Sequence, residues 1–159
     1  MKKVCFVCLG NICRSPMAEF VMKSMASPDE LQVESRATSG WEHGNPIHHG
    51  TQSLLQQYQI SYDTKKTSQQ ITSLDFEAFD YIIGMDSHNI RDLKQMSKHQ
   101  WDSKIHLFIE GGVPDPWYTG DFEETYRLVK AGCQHWLSQI SAEHESHVEI
   151  DSNDKNKIK

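Results

Sequence analysis

The chain has 159 residues, 37% hydrophobic and 24% charged, which fits one globular domain with a sizeable core. Its formal net charge of −6 argues against broad binding to nucleic acid or an anionic membrane, since both reward a basic surface; an anionic small ligand stays admissible, because local dipoles and one arginine can make a positive pocket. No apolar run approaches the roughly 20 residues of a membrane span, and the opening Met1-Lys2-Lys3-Val4-Cys5-Phe6-Val7 is interrupted by Gly10 and Asn11 with no small-residue cleavage site, so it is not read as a signal peptide.

In chain order, residues 3–7 form an apolar run pointing to both faces, the pattern of a central parallel strand. A helix is predicted over Pro16–Ala26, with proline in its first turn and Glu19 favoured by the helix dipole; Ser27-Pro28-Asp29 breaks it. Leu31–Ser35 alternates as a strand. Thr38–Gly50, rich in glycine, reads as a loop, and a helix follows over Gly50–Gln59. Tyr62–Gln70 is polar and irregular. Phe79–Gly84 is a second buried strand, and Asp86 or Ser87 caps a helix running to Met96. Lys104–Phe108 is a fourth strand, Gly111–Gly120 a proline-bearing loop, and Phe122–Ile140 a long amphipathic helix. From Ser141 to Lys159 the composition turns polar and charged, as in a frayed tail. Residues 1–140 thus make one domain. Strands alternating with helices imply a doubly wound α/β fold with a four-stranded parallel sheet and helices on both faces. Such folds bind ligands beyond the carboxyl ends of their strands.

Cys8-Leu9-Gly10-Asn11-Ile12-Cys13-Arg14-Ser15 lies at such an end, between strand and helix. Backbone N–H groups of a loop entering a helix can form an anion cradle. Gly10 lets the backbone approach closely, Asn11 tolerates positive φ, and Arg14 offers a planar fork for two phosphate oxygens. The same N–H groups and Arg14 stabilise negative charge on the Cys8 sulfur, and a thiolate beside phosphorus is a nucleophile. Ser15 can donate to that sulfur. Asp115, in Val113-Pro114-Asp115-Pro116-Trp117-Tyr118, is the candidate acid for a leaving alkoxide or phenoxide; by spacing alone it could also be an ordinary acidic turn. Cys5-x-x-Cys8 could instead be half a zinc site or a redox dithiol, but there is no second such pair and Cys5 falls inside the strand. The four cysteines (Cys5, Cys8, Cys13 and Cys133) make a poor disulfide framework, which fits a reducing compartment. The expected location is cytoplasmic, and Cys5 and Cys133 read as core residues. His144 and His147 in the tail could chelate if helical; solvation is the plainer reading.

These features together resemble the low-molecular-weight protein tyrosine phosphatases. The family loop C-[LI]-G-N-x-C-R-S-P-x-A-E is matched over residues 8–19, and Ser35, Thr38-Ser39-Gly40-Trp41, Gly44-Asn45-Pro46, the stretch Ile71–Leu93 and Asp115-Pro116-Trp117-Tyr118 extend the likeness over residues 3–140. The resemblance implies a phosphocysteine intermediate on Cys8, phosphate binding by Arg14 and the loop residues Leu9, Gly10, Asn11, Ile12, Cys13 and Ser15, and general acid/base work by Asp115. It implies a supporting network of Asn11, Ser15 and Ser35, and a slot walled by Trp41, Trp117 and Tyr118 for an aromatic ring. It further implies that Cys13 guards Cys8 through a reversible disulfide. Phosphotyrosine proteins would be the substrates and inorganic phosphate the product, with no metal or organic cofactor.

The chain departs from the family pattern at Ile47-His48-His49-Gly50-Thr51, read as a scaffold variant. It also departs near Lys66, where a family histidine is replaced, and near Gln69, where an arginine is. Lys66 reads as a solvated charge. Three rival readings follow from the same loop. Protein-arginine phosphatases of this type carry threonine where this chain has Ile12; isoleucine presents apolar surface suited to a phenyl ring. A thiol-linked arsenate reductase needs further cysteines that the stretch between Cys13 and Cys133 does not contain. A non-catalytic phosphotyrosine-binding module would be expected to lack one of Cys8, Arg14 and Asp115.

Overall fold

The computed structural model describes residues 1–157, with side-chain surroundings described through Glu143. Four strands form one parallel sheet: β1 (Lys2–Cys8), β2 (Leu31–Ala37), β3 (Tyr81–Gly84) and β4 (Ile105–Leu107), in the order β2-β1-β3-β4. In β1, Val4, Phe6 and Cys8 face one apolar layer and Cys5 and Val7 face the other. This period of two is why a central strand reads as unbroken apolar sequence. It also puts Cys5 and Cys8 on opposite faces, so they cannot ligate one metal together.

The first layer packs α1 (Arg14–Met25), α2 (His49–Gln57) and α6 (Phe122–Lys157) against the sheet; the second packs α3 (Ser73–Ala78) and α4 (Ser87–Met96). Helices on both faces make the fold doubly wound, as the sequence pattern implies. No helix among the described residues is long and apolar enough to cross a membrane.

Several boundaries differ from the sequence expectation for local reasons. α1 begins at Arg14, so Pro16 sits third in the helix, where its missing N–H has no intrahelical acceptor to lose. Glu19 is therefore beyond the first turn, and its role is not a dipole contact. Ser73–Ala78, which apolar spacing does not mark, forms α3 through a capping box between Thr72 and Asp75. Phe79 ends that helix, so β3 starts only at Tyr81. Asp86 caps α4 reciprocally with Asn89. The loop 111–120 contains a short helix, α5 (Pro116–Thr119), with Asp115 as its cap, Pro116 at its first position and Gly120 closing it at φ 70°. The last helix does not stop near Ile140: no glycine or proline occurs over 141–157 to end it, and α6 continues to Lys157. The side chains of His144 and His147 lie outside the described residues.

Candidate active site

Cys8 is the last residue of β1, and the loop that follows turns on Asn11, which holds a φ of 56°. Four carbonyls of the loop and the helix entry are tied outward. Leu9 O accepts from Ser39 Oγ (2.8 Å), Gly10 O from Ser68 Oγ (2.7 Å), Ile12 O from His48 N (2.9 Å) and Cys13 O from Thr51 Oγ1 (3.2 Å). With the carbonyls turned away, the loop presents N–H groups to its hollow. α1 opens there with no side-chain cap, so its first N–H groups add to the same field.

Asn11 N donates to Cys8 Sγ at 3.2 Å, and Ser15 Oγ lies 3.0 Å from that sulfur. The direction of the second contact follows from its neighbours. Asn11 Nδ2 donates to Ser15 Oγ (2.8 Å) and to Ser35 Oγ (3.0 Å), and Ser35 Oγ donates to Glu19 Oε1 (2.6 Å). Ser15 Oγ thus already accepts, and its own proton can point at the sulfur; its other acceptor, Arg36 O, is farther at 3.4 Å. Asn11, Ser15 and Ser35 are buried, and this chain of bonds holds the turn that Asn11's positive φ requires.

The network ends on an ion cluster that corrects the sequence reading of Lys66. Lys66 is not a solvated charge: its Nζ lies 2.9 Å from Ser35 O and 3.3 Å from Glu19 Oε1, while Lys23 Nζ meets Glu19 Oε2 at 2.7 Å. Glu19 is the buried carboxylate that orients Ser35. Gln69, at the other departure, contributes backbone only: its N–H donates to Asn11 Oδ1 at 3.2 Å.

Arg14 is buried beside the loop. Its Nη1 donates to Asp86 Oδ2 (2.7 Å) and Val113 O (3.1 Å), its Nη2 lies 3.5 Å from Asp115 Oδ2, and its Nε is buried with no acceptor among the described residues. Burial opposes the guanidinium charge, but Cys8, Asp86 and Asp115 outweigh it and hold Arg14 protonated. Asp86, which the sequence offers with Ser87 as a cap for α4, is that cap and also anchors Arg14, because the end of β3 emerges beside the loop. Asp115 Oδ1 accepts from Trp117 N (3.1 Å), which leaves Oδ2 toward Arg14.

These groups line a cavity of about 160 Å³ bounded by Cys8, Leu9, Gly10, Asn11, Ile12, Cys13, Arg14, Trp41, Asp115, Trp117 and Tyr118, joined by Ser39 and Glu42. Ser15 and Ser35 stand behind it as supports. The rings of Trp41, Trp117 and Tyr118 are exposed at its rim, whereas Ile12 is buried in its wall. Cys13 lines the cavity as a free thiol; burial, then the proximity of Cys8 and Asp115, pushes its pKa up to about 12. The sequence reading did not single out Glu42, Ser39, Ser68 or Thr51 for the site. They reach the loop from segments whose closure no local pattern signals.

Residues 3–146 match the family model described as low molecular weight phosphotyrosine protein phosphatase. The chain is 42% identical over 154 residues to the low molecular weight protein-tyrosine-phosphatase YfkJ of Bacillus subtilis, covering 90% of this chain and 98% of that one. It superposes on SP-PTP, a low molecular weight protein tyrosine phosphatase from Streptococcus pyogenes, with a TM-score of 0.87 and 75% identity over 87% of this chain and 93% of the other. It also superposes on a Drosophila arginine phosphatase with a TM-score of 0.78 and 29% identity, covering 88% of this chain and 98% of the other. With its cysteine loop, its arginine and its Asp-Pro segment gathered at one end of a parallel sheet, this chain belongs to the low molecular weight phosphotyrosine protein phosphatase family.

Proposed function

We propose that this chain hydrolyses phosphotyrosine in proteins, and related aryl phosphates, through a phosphocysteine on Cys8. The observation that carries this reading is the placement of Cys8 Sγ, engaged by Asn11 N and Ser15 Oγ, in one cavity with Arg14 and Asp115. A phosphate seated in the loop is gripped by the N–H groups and by the Nε and Nη2 arms of Arg14, while Nη1 stays on Asp86 and Val113. Cys8 Sγ attacks phosphorus; the S–P bond forms as the P–O bond to the tyrosine breaks, and Asp115 gives its proton to the departing phenoxide. Asp115 then takes a proton from water as that water attacks phosphorus. The S–P bond breaks, inorganic phosphate leaves, and the Cys8 thiolate is restored. Arg14 and the N–H cradle stabilise the charge on the transferring phosphoryl group. Ser15 and Asn11 stabilise the sulfur as it becomes a leaving group. Cys13 serves as the partner that captures an oxidised Cys8 as a disulfide. The substrates are phosphoproteins in the cytoplasm.

The second reading, phosphoarginine hydrolysis, is supported by the likeness to the Drosophila arginine phosphatase. Ile12 in the cavity wall favours the aromatic substrate, since its apolar surface packs on a phenyl ring and offers no hydroxyl to a guanidinium.

Kinetics separate these readings. With Asp115→Asn, turnover of a phosphotyrosine peptide should fall about 10²–10⁴-fold, and that of para-nitrophenyl phosphate by less, because nitrophenolate departs without a proton. Cys8→Ser should bind the peptide and not turn it over. Wild-type rates in either variant, or a preference for phosphoarginine over phosphotyrosine peptide, would sink the proposal.

A further inference from the structure

His48 touches both halves of the cleft. Its backbone N–H donates to Ile12 O of the cysteine loop at 2.9 Å. Its Nδ1 accepts from Gly50 N at 3.0 Å, which caps α2 and sets the plane of the imidazole. So oriented, the ring stacks on Phe122 at the start of α6 (centroids 5.3 Å apart, planes 16°) and on His49 (4.3 Å, 28°). Its other contact is with Trp117, at 5.6 Å and 76°. The space for the Phe122 contact exists because residue 50 is glycine: a Cβ there would meet the Phe122 ring at 2.4 Å.

Trp117 is one wall of the cavity, and its backbone N–H holds Asp115 Oδ1. α5, which carries Trp117, has four residues and closes on a left-handed glycine. So short a helix cannot fix its own side chains, because most of its backbone groups lack intrahelical partners. The indole is more than half exposed, at 57%, and therefore takes its orientation from the few neighbours it has.

We infer that His48 is a positioning residue for aromatic substrates: its ring clamps Trp117, and through Trp117 the Asp115 carboxylate, in register with the cysteine loop. The inference rests on the phosphotyrosine reading above. A T-shaped aromatic contact orients the indole, so it acts on the wall a substrate ring must lie against. The backbone bond to Ile12 ties the same residue to the loop that carries the phosphate, so the slot depth and the phosphate position are set together.

Two substitutions divide the ring from the cap. His48→Asn retains a favoured N-cap acceptor and removes the ring; His48→Phe retains a ring and removes the acceptor. For His48→Asn, kcat/KM on a phosphotyrosine peptide should fall about 3–10-fold, the range of a lost aromatic pair. Its rate on acetyl phosphate, which has no ring and a good leaving group, should change little, and its melting temperature should stay near wild type. His48→Phe should recover most of the peptide activity while melting lower. Phe122→Leu, which removes the surface under the imidazole and leaves the cap, should repeat the aryl-selective loss should the asparagine variant not fold. Wild-type peptide kinetics in both His48→Asn and Phe122→Leu overturn the inference. So does an equal loss on both substrates, or a loss in His48→Phe as large as in His48→Asn. A wild-type enzyme that hydrolyses acetyl phosphate or phosphoarginine but not the phosphotyrosine peptide overturns the substrate reading itself, and this inference with it.

Discussion

Lys66 and Glu19 decide how firmly Asn11 is held. Asn11 sits in a left-handed conformation that costs an L-residue energy unless its surroundings compensate. The compensation is the run Lys66–Glu19–Ser35–Asn11–Ser15, in which each hydroxyl or amide is oriented by the next. Replacing Lys66 by methionine removes the cation from a buried carboxylate and frees Ser35 O. The expected loss is about 1.5–3 kcal/mol, as for a hydrogen bond to a charged group, read as a lower urea midpoint with unchanged slope. Turnover should fall as well, because Ser15 then loses its fixed orientation toward Cys8. Wild-type stability in Lys66→Met would return Lys66 to the role of a surface charge.

At the level of elements, α6 packs closely on Phe108, the residue that follows β4. Trp136 Nε1 donates to Phe108 O at 2.8 Å, and one turn earlier Gly132 leaves room for the Phe108 ring, which a Cβ would approach to 2.2 Å. Alanine is intrinsically the better helix former by about 1 kcal/mol, so an exposed Gly132→Ala would stabilise. Here the clash wins: overpacking costs about 1–3 kcal/mol or more. Gly132→Ala should therefore lower the melting temperature, and an increase would show that Phe108 and α6 move apart freely. The consequence reaches the site, since Phe108 follows β4 and its segment leads into the Asp115 loop.

Across the whole molecule, the end of β3 and the start of α1 are joined by Arg14 and Asp86. Burial works against the Asp86 charge, but the hydrogen bond from Arg14, the Asn89 N–H and the Arg14 charge outweigh it and hold the carboxyl below its ordinary value. A carboxyl so lowered contributes stability that is fully present above the ordinary carboxylate value and is lost as pH falls through the lowered one. Asp86→Asn should cost about 1–3 kcal/mol at neutral pH and flatten the acid limb of stability against pH. An acid limb as steep as wild type would mean that other carboxylates carry it. His106 adds in the same direction at milder pH. Burial lowers its pKa, so stability declines as pH drops from the ordinary histidine value through the lowered one.

What the sequence determined by itself was the family and the place of its cysteine loop. The run Cys8–Glu19 is legible because a cysteine loop between an apolar strand and a proline-bearing helix is a local object, set by residues adjacent in the chain; Asp115–Tyr118 is legible only through its resemblance to the family's Asp-Pro segment, since its spacing alone suits an acidic turn as well. The parallel sheet was legible too, since apolar strands alternating with helices admit few packings. Only the tertiary structure assigned Asp86 to Arg14, Lys66 to Glu19, Ser39 and Ser68 to the loop carbonyls, and His48 to Trp117. Each of these is a contact between segments far apart in sequence, made by common polar residues whose local pattern equally suits a cap, a turn or a solvated surface. Their roles follow from which strand ends the sheet brings together, and that is a property of the packed chain rather than of any stretch of it.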